Sequence, residues 1–132
     1  MQPSEVSPTT RFADRYTLVD RLHLGAASEV WLAEDARAEI AVALKILARG
    51  AGERDPARDG FEREFQLARG LIHPHTVRVL SWHDSDRPAY AMQYIDGTDF
   101  ADLVSRSFEV WAPVLLVMTD TLVYWHRKGV VH

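Results

Sequence analysis

The eight residues Ile40-Ala41-Val42-Ala43-Leu44-Lys45-Ile46-Leu47 carry a single charge in an otherwise apolar run. Their length and their content of Ile, Val and Leu predict a strand with two distinct faces. Ile40, Val42, Leu44 and Ile46 fall on one face, and Ala41, Ala43, Lys45 and Leu47 on the other. A lysine there must reach a counter-charge or a bound anion, or else stay at a solvent edge. The small Ala43 leaves room above the same face for a flat ligand.

A candidate counter-charge lies in the next segment. Asp55-Pro56 predicts a helix start, because the carboxylate can cap free N–H groups and proline fits the first turn. The helix is expected to run to about Leu71 despite Gly60 and Gly70, with His73-Pro74 ending it. Its apolar stripe is Phe61, Phe65, Ala68 and Ile72. Glu64 falls three after Phe61 and four before Ala68, so it points toward the core side, whereas Glu62 and Arg69 point outward. An unpaired carboxylate facing inward is costly, and Lys45 is the natural partner.

The rest of the chain reads as short strands and then helices. Residues 1–13, with Pro3 and Pro8, predict a loose tail. Strands are expected at 16–22 and 29–33, joined by the small-residue turn Leu24-Gly25-Ala26-Ala27-Ser28. Two more are expected at 76–82 and 89–94, joined by Asp84-Ser85-Asp86-Arg87-Pro88. Asp96-Gly97 breaks the last strand. Helices are then expected at 101–106 and 111–128, with Gly129 just past the second. Leu115, Met118, Leu122 and Trp125 make a stripe on that helix suited to core packing. The fold class is therefore α+β: a five-stranded antiparallel sheet with one helix, then two further helices. A hinge near Asp96-Gly97 separates a unit of residues 14–97 from one of 98–132.

Composition excludes several functions. The net charge of −4 argues against a nucleic-acid partner. The absence of cysteine excludes disulfides and thiolate metal sites. His73-x-His75 is read as a turn with no third ligand nearby, so no metal site is expected in this chain. The first residues lack the pattern of a signal peptide, and the apolar stretch 110–118, broken by Pro113, is too short to span a bilayer. A cytoplasmic segment without membrane contact is the expectation.

Several of these features together resemble a known family. Val42-Ala43-Leu44-Lys45 is similar to the third-strand Val-Ala-Ile-Lys motif of protein kinases. Glu64 matches the partner glutamate of their inserted helix. His73-Pro74-His75-Thr76-Val77 resembles the family's His-Pro-Asn-Ile-Val turn, and Met92-Gln93-Tyr94-Ile95-Asp96-Gly97 its hinge segment. Residues 125–132 resemble the approach to the His-Arg-Asp catalytic loop, with His132 as its histidine. The resemblance covers roughly residues 12–132 and is closest in style to bacterial serine/threonine kinases.

The resemblance implies a kinase N-lobe followed by the opening helices of the C-lobe, cut before the catalytic loop. It also implies ATP as phosphate donor, a protein substrate, and Mg2+ held by residues beyond this chain. Lys45 would hold the α- and β-phosphates, oriented by Glu64. Val30 and Ala43 would sandwich the adenine, with Met92 as gatekeeper. Gln93 and Ile95 would meet the adenine edge through their backbones, and Asp99 the ribose. The glycine loop would be Leu22, His23, Leu24, Gly25, Ala26, Ala27 and Ser28. Of its three family glycines only the middle one is present; His23 and Ser28 stand at the outer two. The 132 residues alone are expected to be inactive and prone to self-association through an uncovered helix face. Two other functions fit less of the pattern: a pseudokinase serving as nucleotide sensor or scaffold, and a small-molecule phosphotransferase.

Overall fold

The computed structural model describes residues 10–48 and 55–131. The expected tail up to residue 9 and the expected catalytic-loop histidine His132 lie outside the described residues. In chain order the elements are β1 (Arg11–Phe12), β2 (Tyr16–Leu24), β3 (Ser28–Asp35), β4 (Ile40–Leu47), α1 (Pro56–Arg69), β5 (Val79–His83), β6 (Ala89–Gln93), α2 (Phe100–Leu103) and α3 (Phe108–Arg127). The strands form one antiparallel sheet in the order β1-β2-β3-β4-β6-β5. The five expected strands are all present. A two-residue addition, β1, forms within the stretch read as tail, where Arg11 and Phe12 pair with Thr17 and Tyr16.

The interior strand β4 divides two cores. On one face Val42, Leu44 and Ile46 join Tyr16, Leu18, Trp31, Ala33, Ala89 and Ala91. On the other, Leu47 joins Phe61, Phe65 and Tyr90, with Val79, Trp82 and Met92 packed alongside. Each large side chain so buried contributes roughly 1.5–3 kcal/mol. Ile40, expected on the first face, is 49% exposed, because it opens the strand opposite Asp35 at the hairpin end. The sheet is strongly curled. Tyr16 on β2 bonds through its hydroxyl to Ser81 Oγ (2.9 Å) and His83 Nε2 (2.6 Å) on β5. Those strands are four places apart in the sheet order, so only a rolled sheet lets them touch.

The helix α1 begins as expected: Asp55 accepts from the Ala57 amide at 2.8 Å and Pro56 fills the first turn. It ends two residues earlier than expected. Gly70 and Leu71 donate back to Leu67 and Ala68, and the chain then leaves the helix before His73-Pro74. In consequence Ile72, expected in the buried stripe, is 70% exposed, and Leu71 is buried in its place. The turn closed by the Thr76 amide on the His73 carbonyl (3.1 Å) then delays β5 until Val79.

The helix α3 is three residues longer at its start than expected and carries Pro113 inside it. Gly129, at φ 81°, ends it in a Schellman-type turn, with Gly129 N–H on His126 O (3.0 Å) and Val130 N–H on Trp125 O (2.9 Å). Trp125 Nε1 donates to Thr76 Oγ1 (2.9 Å), and the Ile72 amide donates to the Tyr124 hydroxyl (3.0 Å). These bonds dock the C-terminal turns of α3 on the 72–76 loop. The rest of α3 is open: only 6% of its most apolar window is buried, and Leu115 and Met118 of the expected core stripe are exposed. By length and composition alone α3, at 20 residues, also matches a membrane span.

Two buried acids brace the loops around this frame. Arg15 grips Asp35 with two bonds, Nε to Oδ1 (2.8 Å) and Nη2 to Oδ2 (2.7 Å), while Asp35 Oδ1 also accepts from the Arg37 and Ala38 amides. Arg87 joins Glu29 at 2.9 Å, tying the β5–β6 turn to the start of β3. The Arg15 guanidinium holds the Asp35 carboxyl down to about 2, against an ordinary 3.8 and despite its burial. Protons therefore bind the unfolded chain first as pH falls. The stabilisation is complete above about pH 4 and is lost between there and about pH 2. Asp35→Asn is expected to cost about 2 kcal/mol at neutral pH. The gap between wild type and variant in urea unfolding should close as pH falls through that window.

Candidate functional site

Directly opposed residues of antiparallel strands share a face. The register therefore sets Lys45 in a row with Val30 of β3 and Tyr90 of β6, and sets Ala43 in the next row with Leu32 and Met92. The helix α1 lies over the same face, held by aromatic contacts. Phe61 and Phe65 each touch both Trp82 and Tyr90, with ring centroids 5.2–5.7 Å apart. One turn along the same helix face, Glu64 reaches the lysine: Lys45 Nζ pairs with Glu64 Oε1. The Tyr90 hydroxyl donates to the same oxygen. The inward lysine and inward carboxylate expected from the sequence thus meet each other.

The charges of the cluster are consistent with this geometry. Partial burial pushes the Glu64 carboxyl up, but hydrogen bonds from Lys45 and Tyr90, with the ammonium charge, outweigh it and leave the carboxyl below its usual range. Burial and the neighbouring carboxylate both push the Tyr90 phenol well up, so it remains a donor. Lys45 Nζ also lies 5.9 Å from the Tyr90 ring centroid.

The β2–β3 connection places the other expected residues. Leu22 sits in an irregularity of β2 between the pairs of Arg21 and His23. His23 lies opposite Val30, and so shares the lysine's face, while Leu24 opposes Glu29. Gly25 donates to the Ser28 carbonyl at 2.9 Å, leaving Ala26 and Ala27 as an exposed two-residue tip. Ala27 accepts from the Ala48 amide (2.8 Å), which extends the β3–β4 ladder to that tip. A Cβ on Gly25 would come within 3.3 Å of the Ser28 carbonyl oxygen and 3.4 Å of His23 Nε2.

Gln93 ends β6, and its amide is taken by the Arg78 carbonyl at 2.8 Å. Any backbone contact from Gln93 to a ligand must therefore use its carbonyl. Ile95 lies past the strand, exposed, and Asp99 is the N-terminal boundary residue of α2, without a capping bond from its side chain. A cavity of about 700 Å³ lies elsewhere, between Ile40, Ala41, the 71–78 loop and Tyr94. Of the expected residues it touches only Gln93.

Sequence reasoning missed Tyr90. The available signal was alternation: it lies two residues before Met92, on the same strand face, and so faces the lysine and not the opposite core.

A curled antiparallel sheet with one helix, a Lys–Glu pair between them and helices following is the architecture of a protein-kinase N-lobe with the start of its C-lobe. The chain is homologous, over about nine-tenths of its length, to bacterial serine/threonine protein kinases. It is 34% identical over 137 residues to the serine/threonine-protein kinase PknB of Mycobacterium tuberculosis H37Ra, covering 93% of this chain and 21% of that one. It is 32% identical over 124 residues to PknI of Mycobacterium bovis, covering 89% and 21%. Crystal structures of the Mycobacterium tuberculosis PknI kinase domain superpose with TM-scores of 0.72 and 0.74, at 27% identity, over 96% of this chain and about half of theirs. The chain thus spans about a fifth of the curated relatives it matches. No protein-family model matches it.

The aromatic contacts of α1 give a direct expectation. Phe65→Ala should cost about 3–5 kcal/mol of stability by urea unfolding. Exposed Glu62→Ala on the same helix should change stability by less than about 0.5 kcal/mol.

Proposed function

We propose that this chain is the ATP-positioning part of a protein kinase that phosphorylates serine or threonine on proteins. The observation that carries the reading is the Lys45–Glu64 pair on the face shared by Val30, Ala43 and Met92. A cation fixed beside a small residue on an apolar floor suits a flat ring joined to phosphates. Lys45 would pair with the α- and β-phosphates, Glu64 would orient it, and Val30, Ala43 and Met92 would bound the adenine. The outer edge of the ring would fall to the Gln93 carbonyl and the Ile95 backbone, and the ribose to Asp99. Residues 22–28 would cover the phosphates.

Magnesium would accompany ATP in the reaction, but the side chains around Lys45 do not fit a metal. Glu64 supplies their carboxylate, and it is already engaged by Lys45 and Tyr90. Its ligands would lie past residue 132, as would the aspartate that orients the substrate hydroxyl. Catalysis in the parent rests on positioning and charge stabilisation, so 132 residues without those groups should bind nucleotide weakly and transfer nothing. The setting would be cytoplasmic, with no nucleic-acid partner and no membrane contact in this segment. The uncovered apolar face of α3 would promote self-association of the isolated chain.

A second reading, a pseudokinase that senses nucleotide or acts as a scaffold, draws on one feature. His23 and Ser28 stand at outer glycine positions, and the His23 ring lies beside Gly25. Phosphates then meet a bulkier, more constrained loop.

Three measurements test the primary reading. The purified 132-residue chain should give no transfer from radiolabelled ATP to a generic protein substrate. Turnover that survives removal of contaminating kinases and disappears in Lys45→Ala would overturn its inactivity. In the full-length parent, Lys45→Ala should abolish binding of a fluorescent ATP analogue, and Met92→Gly should admit ATP-competitive ligands with a bulky group at the back of the pocket. Unchanged analogue binding in the first variant would count against the assignment of the phosphate site, and unchanged ligand affinity in the second against the gatekeeper assignment.

A further inference from the structure

We propose that Tyr90 is a positioning residue that fixes Glu64, and with it α1, against Lys45. The functional consequence rests on the nucleotide reading above; the geometric part does not. Tyr90 lies directly across the sheet from Lys45 and is 5% exposed. Its ring packs against Phe61 and Phe65, one residue group on each side of Glu64 along α1. Its hydroxyl donates to the oxygen of Glu64 that Lys45 also contacts.

The two donors to that oxygen are not equivalent. The Glu64 side chain is 46% exposed, and an ion pair so open to water is worth little on its own. Lys45 also brings four rotatable bonds, whose ordering opposes the pair. Tyr90 brings two, both already set by the packing of its ring. It reaches Glu64 from the buried side, where water competes least, and a bond to a charged acceptor there is among the stronger kind. Lys45 must also remain available to phosphate if it serves nucleotide. A second, rigid donor lets Glu64 stay in place while the ammonium shares its contacts with an anion.

Tyr90→Phe separates this role from simple packing, since the ring stays and only the O–H is lost. In the intact protein, hydrogen exchange of peptides from residues 56–69 should rise about tenfold, with peptides from β4 and β6 unchanged. Affinity for a fluorescent ATP analogue should fall about tenfold, and adding Tyr90→Phe to Glu64→Gln should lower it little further, because the hydroxyl acts through the Glu64 carboxylate. Exchange that rises equally across the sheet would show a merely structural tyrosine and overturn the proposal, as would unchanged exchange in 56–69. The two readings fail separately. Faster exchange in 56–69 with analogue binding indifferent to both Tyr90→Phe and Lys45→Ala would remove the nucleotide reading and leave the grip of Tyr90 on α1 standing. Binding that depends on Lys45, with exchange unaltered in Tyr90→Phe, would remove the tyrosine's role alone.

Discussion

A lysine on an interior strand with both faces covered has few places for its charge, and that constraint organises the site. β4 has β3 on one side and β6 on the other, so Lys45 has no sheet edge from which to reach water. The face it occupies is roofed by α1, and α1 is set there by the rings of Phe61 and Phe65. The carboxylate between those rings along the helix then becomes the lysine's partner. Cause runs from packing to pairing: the aromatic contacts are worth several kcal/mol, while the half-exposed ion pair is worth on the order of 1 kcal/mol or less. The pair therefore reports where the helix is and does little to hold it there. Displacement of α1 would break the pair at small electrostatic cost.

The ion pairs elsewhere divide in the same way by burial. Arg15–Asp35 and Arg87–Glu29 each involve an acid almost closed to water, and each joins segments distant in sequence. Loss of either arginine would strand a buried carboxylate. Arg58 also reaches Asp84 and the Ser85 carbonyl, joining the start of α1 to the β5–β6 turn. Asp84 is 73% exposed, so that pair guides the loop without much stabilising it. With the Tyr16 hydroxyl bridging β2 to β5, these contacts keep the curled sheet closed around Val42, Leu44 and Ile46.

Much of this was legible in the residues. The alternation of β4, the cap at Asp55-Pro56 and the inward placement of Glu64 follow from local periodicity and short-range chemistry. What was not legible depends on distant partners. Arg11 and Phe12 form a strand only because β2 offers them an edge. The end of α1 is set by backbone bonds from Gly70 and Leu71, and the two-residue shift turned Ile72 out and Leu71 in. β5 starts late because the 73–76 turn is docked on α3, 49 residues away in sequence at the Thr76–Trp125 bond. Tyr90 was visible as a strand residue, but its role required knowing that its strand pairs with β4 in the register that opposes it to Lys45.

The β2–β3 turn shows how one departure from a family pattern conditions its neighbour. The ladder runs almost to the tip, since Gly25 bonds Ser28 and Ala27 bonds Ala48. The Gly25 amide is thereby committed inside the hairpin. His23 lies on the lysine's face by register, and its ring would meet a Cβ at position 25 at ordinary contact distance. A side chain there would press chiefly on the Ser28 carbonyl oxygen, at 3.3 Å. With the Gly25 amide so committed, the tip has one fewer free backbone donor to offer. For a bound polyphosphate, the share of charge that the loop does not meet falls on the lysine, and the precision with which Lys45 is held becomes correspondingly more important.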